Sequence, residues 1–143
     1  MKKSKTNTNE IDAAESDYLY VSLSQLPASG NGLLTAINIY KDEIISLFKG
    51  EILTDVQAKL RAKKGEDKYF INMLDGSIMD SMKIKCFAKY ANDAQGTLNS
   101  ILKNNSKIGL DDNNNVCLIA IRNIKMHEEI FCSYGKKYWK KHS

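Results

Sequence analysis

The residues with most capacity for chemistry gather near the C-terminus, in Arg122-Asn123-Ile124-Lys125-Met126-His127-Glu128-Glu129-Ile130-Phe131-Cys132-Ser133-Tyr134-Gly135, closed by Tyr138-Trp139. An apolar strand there carries two acids and then runs into hydroxyl-bearing aromatics. Glu128 and Glu129 point to opposite faces if extended, so they cannot act jointly on one bond. His127 sits beside Glu128 in a turn and reads as a solvated residue. The 3 cysteines and 2 histidines show no Cys-x-x-Cys pairing, which argues against zinc and gives no support to a Cys/His nucleophilic site. Upstream, Gly30-Asn31-Gly32 follows one strand and leads into another. A dinucleotide fingerprint needs a helix at that point, so that chemistry fails. Glycines there let bare backbone approach a ligand, although a tight turn is the simpler reading. Tyr69, Tyr90, Tyr134, Tyr138 and Trp139 concentrate polar aromatics, for which core packing with satisfied hydroxyls is the default.

The elements that must position these residues are short and mostly extended. Residues 1–17 lack apolar periodicity and read as a polar tail, with Lys2, Lys3 and Lys5 followed by Glu10, Asp12, Glu15 and Asp17. Tyr18 to Leu23 is aromatic and β-branched, a strand. Pro27-Ala28-Ser29-Gly30 makes a turn, and strands follow at Leu33–Ile39 and Glu43–Phe48. One clear helix begins at a Thr54-x-x-Gln57 capping box, places Val56 and Leu60 on one face and closes at Gly65. Asp75-Gly76 between Tyr69–Leu74 and Ser77–Asp80 signals a hairpin, with positive φ expected at both turn positions. Cys86–Tyr90 suits helix or loop. Lys107–Leu110 and Val116–Ile121 pair as a second hairpin across Asp111–Asn115.

Composition narrows the class. A chain of 143 residues with 43% apolar and 27% charged residues holds one globular domain with a real core. No apolar run approaches the roughly 20 residues of a membrane helix, and Met1–Asn9 has no signal-peptide core. The expected location is therefore intracellular and not secreted. A net charge of +4 is mild. Basic residues do not interleave with exposed aromatics, which argues against a single-strand nucleic-acid groove and gives no sign of sequence-specific DNA reading.

Taken in order, these blocks resemble the SET-domain protein-lysine methyltransferases, and compact viral-type members ending in Ser-Tyr-Gly-x-x-Tyr-Trp most of all. Leu26–Leu33 is similar to the family's opening Gly-x-Gly, and Asp42–Ile45 with Lys49-Gly50-Glu51 to its next strands. Tyr69–Asn72 with Ile78–Asp80 is similar to its central hairpin. Ala88-Lys89-Tyr90-Ala91-Asn92-Asp93 stands where members usually read Ala-Arg-Phe-Ile-Asn-His, and Ile124–Gly135 stands for the Gly-Glu-Glu-Leu block before a terminal Tyr. The resemblance covers residues 18–140 as a catalytic domain. It implies a mostly β fold with few short helices, a β-clip of small sheets with a C-terminal pseudoknot.

The same resemblance implies S-adenosyl-L-methionine as cofactor, held by Gly30, Asn31, Gly32, Leu33, Tyr90, Asn92, Asp93, Tyr134 and Trp139. Tyr69, Cys132 and Tyr134 would line the substrate channel, with Tyr134 and Tyr69 as the catalytic pair and no metal involved. The small Cys132 side chain implies room for di- or trimethylation. The substrate would be a lysine-bearing protein tail, such as a histone in chromatin, which would place the enzyme in the nucleus and otherwise in the cytoplasm. Exposed strand edges suit a homodimer. Asp93 and Ala94 replace the family's His and Ser, His127 replaces its Gly, and Gln95–Asn104 contains an insertion before Asn105, the counterpart of a second family Asn. These departures leave a catalytically silent SET-like binding module, or an unrelated β-rich structural protein, as alternatives.

Overall fold

A computed structural model describes residues 9–26, 30–73, 75–94 and 102–133, with Ser133 as backbone only. Among the described residues, ten short strands and two α-helices follow one another as α1 (Glu15–Tyr18), β1 (Leu19–Leu23), β2 (Asn31–Thr35), β3 (Ile44–Leu47), β4 (Glu51–Leu53), α2 (Asp55–Lys63), β5 (Phe70–Asn72), β6 (Ile78–Asp80), β7 (Ser106–Leu110), β8 (Val116–Ala120), β9 (Glu129–Ile130) and β10 (Cys132–Ser133). They form three small sheets ordered β1-β2-β9, β10-β7-β8-β3 and β4-β6-β5. Each pairing between these strands is antiparallel except β10 on β7. The fold is mostly β, as the sequence implies.

Patterning explains the layers. β8 lies between β7 and β3, and of Val116-Cys117-Leu118-Ile119-Ala120 only Ile119 is not fully buried. A continuous apolar run suits a strand covered on both faces. Leu33, Ile39, Ile45, Leu118, Ile124 and Ile130 form the centre of one core that joins the first two sheets.

Three expectations change. Residues 9–17 do not behave as tail: the Asn9 carbonyl accepts from Ile44 N at 3.0 Å, and Glu15 accepts from Ser46 Oγ at 2.5 Å and Leu47 N at 3.0 Å. A half-buried carboxylate that accepts two hydrogen bonds from β3 outweighs the segment's polar composition. Second, the capping box forms, with Thr54 Oγ1 accepting from Gln57 N at 3.2 Å and Gln57 Oε1 from Thr54 N at 2.9 Å. Yet Val56 and Leu60 are 67% and 55% exposed, and α2 packs through Ala58. Arg61 decides that orientation by bridging Glu51 on β4 at 3.0 Å and the buried Asp80 on β6 at 2.7 Å. Third, the β5–β6 hairpin forms, but the Met73 N to Ser77 O bond leaves three residues in the turn. Among the described turn residues positive φ falls on Gly76, which suits a three-residue loop, and Asp75 instead accepts from Ser77 N.

Cys86–Tyr90 resolves as a single 3-10 turn at Ala88–Tyr90. The polar link between β7 and β8 turns on Asn114 at φ 65, with Asp111 accepting from Asn113 N and Asn115 N.

The C-terminal segment is threaded, not merely appended. Residue 131 bridges Asn92 in parallel, and Cys132 N donates to Asn92 O at 2.8 Å. From the other side, Asn105 Nδ2 donates to Glu129 O at 2.9 Å and Asn105 Oδ1 accepts from Phe131 N at 2.9 Å. β9 pairs with β2 and β10 with β7, so five consecutive residues are laced to three distant parts of the chain. This interlacing is the described portion of the C-terminal pseudoknot.

Candidate active site

The site begins at a strained turn. Gly30 has φ 68, where a side chain is disfavoured, and a Cβ there would meet nothing within 4 Å. Its carbonyl accepts from Ser24 N at 2.8 Å, closing the loop between β1 and β2. That loop is latched from below by Glu129, which accepts from Ser24 Oγ at 2.6 Å and Gln25 N at 2.7 Å. Gly32 packs against the same carboxylate, and any Cβ at that position would overlap it. Glu129 is 2% exposed, so its two donors replace water it cannot reach.

Glu128 and Glu129 do face opposite ways. Glu128 stays near the surface, where burial tends to raise its pKa but the Lys125 N–H at 2.7 Å and the Arg122 guanidinium at 3.1 Å outweigh it. The balance holds Glu128 below the usual carboxylate range. His127 turns the chain before them at φ 69. That left-handed position explains why family members carry glycine there, and a hydrogen bond of 3.1 Å between His127 Nδ1 and the Tyr20 hydroxyl accompanies the exception.

Asn92 joins the two upstream blocks, donating from Nδ2 to Asn31 O at 3.0 Å. Beside this junction lies a cleft of about 720 Å³. Gly30, Asn31 and Asn92 form one wall, Asp67 to Asn72 another, and Tyr90 and Lys89 a third, with Phe48 also lining it. Tyr69 and Tyr90 meet edge to face with ring centroids 6.4 Å apart. The cleft therefore offers bare backbone on one side and aromatic faces on the other.

The SET domain family model matches this chain over residues 30–135. The chain belongs to the SET domain family. No curated protein sequence matches it. Among solved structures it is similar to the apo Polycomb Repressive Complex 2 of Chaetomium thermophilum with two substitutions in Ezh2, at TM-score 0.68 and 26% identity over 84% of this chain. It is also similar to that complex in an autoinhibited conformation bound to S-adenosylmethionine, at TM-score 0.67 and 24% identity over 85% of this chain. The chain spans only 15% of either of those larger chains.

Within this SET domain the sequence-predicted residues separate into groups. Gly30, Asn31, Tyr69, Tyr90 and Asn92 share the cleft. Leu33 does not reach it, being 0% exposed in the core, and Gly32 packs on Glu129. Asp93 lies to one side, its Oδ1 accepting from Asn104 Nδ2 at 3.0 Å while Asn104 Oδ1 accepts from Ala94 N at 2.8 Å. Two of the residues that depart from the family pattern, Asp93 and Ala94, are thus tied to Asn104, at the far end of the insertion. Cys132 is 0% exposed in the main core and is not among the residues lining the cleft. Tyr134, Tyr138 and Trp139 lie outside the described residues.

Sequence reasoning missed Glu129 as a latch and Lys89 as a contact of both cleft tyrosines. Glu129 had one legible signal, an acid directly before the apolar Ile130-Phe131-Cys132. Lys89 had none.

Proposed function

We propose that this SET domain is an S-adenosylmethionine-dependent protein-lysine N-methyltransferase acting on a histone tail. The observation that carries the reading is the Asn92 to Asn31 hydrogen bond, which brings two family blocks to one wall of a cleft faced by Tyr69 and Tyr90.

The cleft suits the cofactor. Its volume of about 720 Å³ lies within the range of small-molecule sites, and open space at Gly30 admits a ligand against bare backbone. Tyr90, Asn31 and Asn92 would hold the purine and amino-acid ends, and Trp139 and Tyr134 would complete the site by family resemblance. When bound, S-adenosylmethionine supplies a methyl on a positively charged sulfur, and the sulfur keeps the bonding pair as the methyl leaves. Tyr69 and Tyr90 contribute an aromatic passage in which an ammonium is poorly solvated, so an entering lysine loses its proton more readily. A neutral amine held there would take up the methyl group that the cofactor supplies. Alignment by the walls accounts for several kcal/mol of the barrier on the scale of oriented reactions. Tyr134 would orient the amine from the far end of the passage. A histone substrate would place the protein in the nucleus.

Incubation with tritiated S-adenosylmethionine and histone peptides, followed by mass spectrometry, tests the proposal. Methyl-lysine on a peptide is expected. Calorimetry showing no S-adenosylmethionine binding would favour the silent module, for which the Asp93 and Ala94 replacements speak.

A further inference from the structure

Lys89 occupies the junction of the two cleft tyrosines. Its Nζ lies 5.2 Å from the Tyr69 ring centroid and 5.4 Å from that of Tyr90. The same ammonium donates to Ser81 O at 2.9 Å, Ile84 O at 3.2 Å and Met82 O at 3.4 Å. Three N–H donors meet three carbonyls, which is the full capacity of an ammonium. The planar fork of an arginine, usual at this position in the family, cannot reproduce that tripod.

The carbonyl seat is itself fixed. Ser81 Oγ donates to Lys49 O at 2.6 Å, Ser81 N donates to Tyr69 O at 3.3 Å, and Asp80 is held by Arg61 at 2.7 Å. Lys68 Nζ also lies 5.2 Å from the Tyr69 centroid, but Lys89 is the ammonium both rings share, and its anchoring draws their electron-rich faces toward one point. Rings so held keep their edge-to-face contact on the cleft wall.

We infer that Lys89 is the positioning residue for the Tyr69–Tyr90 pair, setting the width of the passage through which a substrate side chain enters. The inference rests on the lysine-methyltransferase reading of the cleft and goes beyond it, since that reading gives Lys89 no role.

The test combines kinetics with a structural readout. Lys89→Met keeps the stem and removes the charge, and it is expected to lower kcat/KM on a histone peptide about tenfold or more, as small misplacements of positioned groups do. Affinity for S-adenosylhomocysteine should fall by less than kcat/KM does, because only Tyr90 of the pair is assigned to the cofactor. If Lys89 acts through Tyr69, then Lys89→Met combined with Tyr69→Leu is no slower than Tyr69→Leu alone. Lys89→Arg should restore part of the rate, and Lys89→Gln serves if the methionine variant does not fold. In protein carrying ¹³C-labelled tyrosine, ring signals of Tyr69 and Tyr90 should move in Lys89→Met while those of Tyr18 and Tyr40 hold still. Unmoved ring signals, or rate losses that multiply in the double variant, overturn the assignment. A wild-type protein that neither binds cofactor nor methylates peptide ends the methyltransferase reading, and the ring signals then judge Lys89 on their own.

Discussion

Ser24 and Glu129 are joined by a hydrogen bond of 2.6 Å between hydroxyl and carboxylate, across 105 positions of sequence. Through it the C-terminal strand β9 holds the loop that carries Gly30. The cleft wall that carries Gly30 and the C-terminal strand are therefore one mechanical unit.

Glu129→Ala leaves the Ser24 hydroxyl and the Gln25 N–H without their acceptor. Loss of about 1–3 kcal/mol is expected in urea denaturation, the scale for stranded buried polar groups. Glu129→Gln should lose less, because its carbonyl still accepts one bond. An alanine variant as stable as wild type would show that the latch contributes nothing.

The two glycines of the turn should respond differently. At Gly32 an added Cβ would lie 2.8 Å from Glu129 Cδ and 3.2 Å from Ser24 Cβ. Gly32→Ala should therefore displace the latch, with a cost of about 1–3 kcal/mol and weaker S-adenosylmethionine binding. Gly30→Ala meets open space, so only its positive φ opposes folding, at about 1–2 kcal/mol, but its Cβ enters the space assigned to the ligand. Thermal melts and calorimetric titration of both variants make the comparison. A Gly30→Ala variant that binds S-adenosylmethionine as wild type does would contradict it.

Alkaline pH should weaken the fold through its buried thiols. Burial pushes Cys132 up to about 12, with Asp93 adding to the shift and a Ser106 hydrogen bond opposing it. Burial and Asp111 push Cys117 up to about 12 as well. Unfolded thiols ionise near 8.5, so the unfolded state loses protons first as pH rises. Stability is complete below that pH and falls as pH climbs toward 12, by about 1.4 kcal/mol per unit for each thiol. Urea midpoints at pH 8, 9 and 10 should decline, and less steeply in Cys117→Ala. At pH 8, iodoacetamide should leave both thiols unmodified until the protein unfolds.

Tyr134→Phe isolates the hydroxyl assigned to amine orientation. S-adenosylmethionine affinity should stay within a few-fold while methyl transfer nearly vanishes. Sustained turnover in a tritium-transfer assay would remove Tyr134 from the mechanism.

Much of the fold was written locally. Thr54 and Gln57 announce α2, the apolar run at Val116–Ala120 announces a covered strand, and Gly76 announces a hairpin. Such signals are readable because their cause lies within a few residues: a cap, a period or an allowed φ. Of the residues the family motifs pointed to, Gly30, Asn31, Tyr69, Tyr90 and Asn92 line the cleft.

Other features were decided only when distant segments met. Which face of α2 turns inward depends on Asp80 and Glu51 receiving Arg61, so Val56 and Leu60 are left in solvent despite their apolar spacing. Leu33 goes to the core and Asn31 to the cleft although alternation puts both on one face, because β9 pairs with β2 at Leu33 and Leu34 and leaves the Asn31 end uncovered. Glu129 becomes a latch, and Lys89 a pivot for two rings, through partners no local pattern encodes. The sequence by itself determined the elements and their family; the tertiary structure alone determined which polar atoms found one another, because burial compels each to seek a partner wherever the chain brings one.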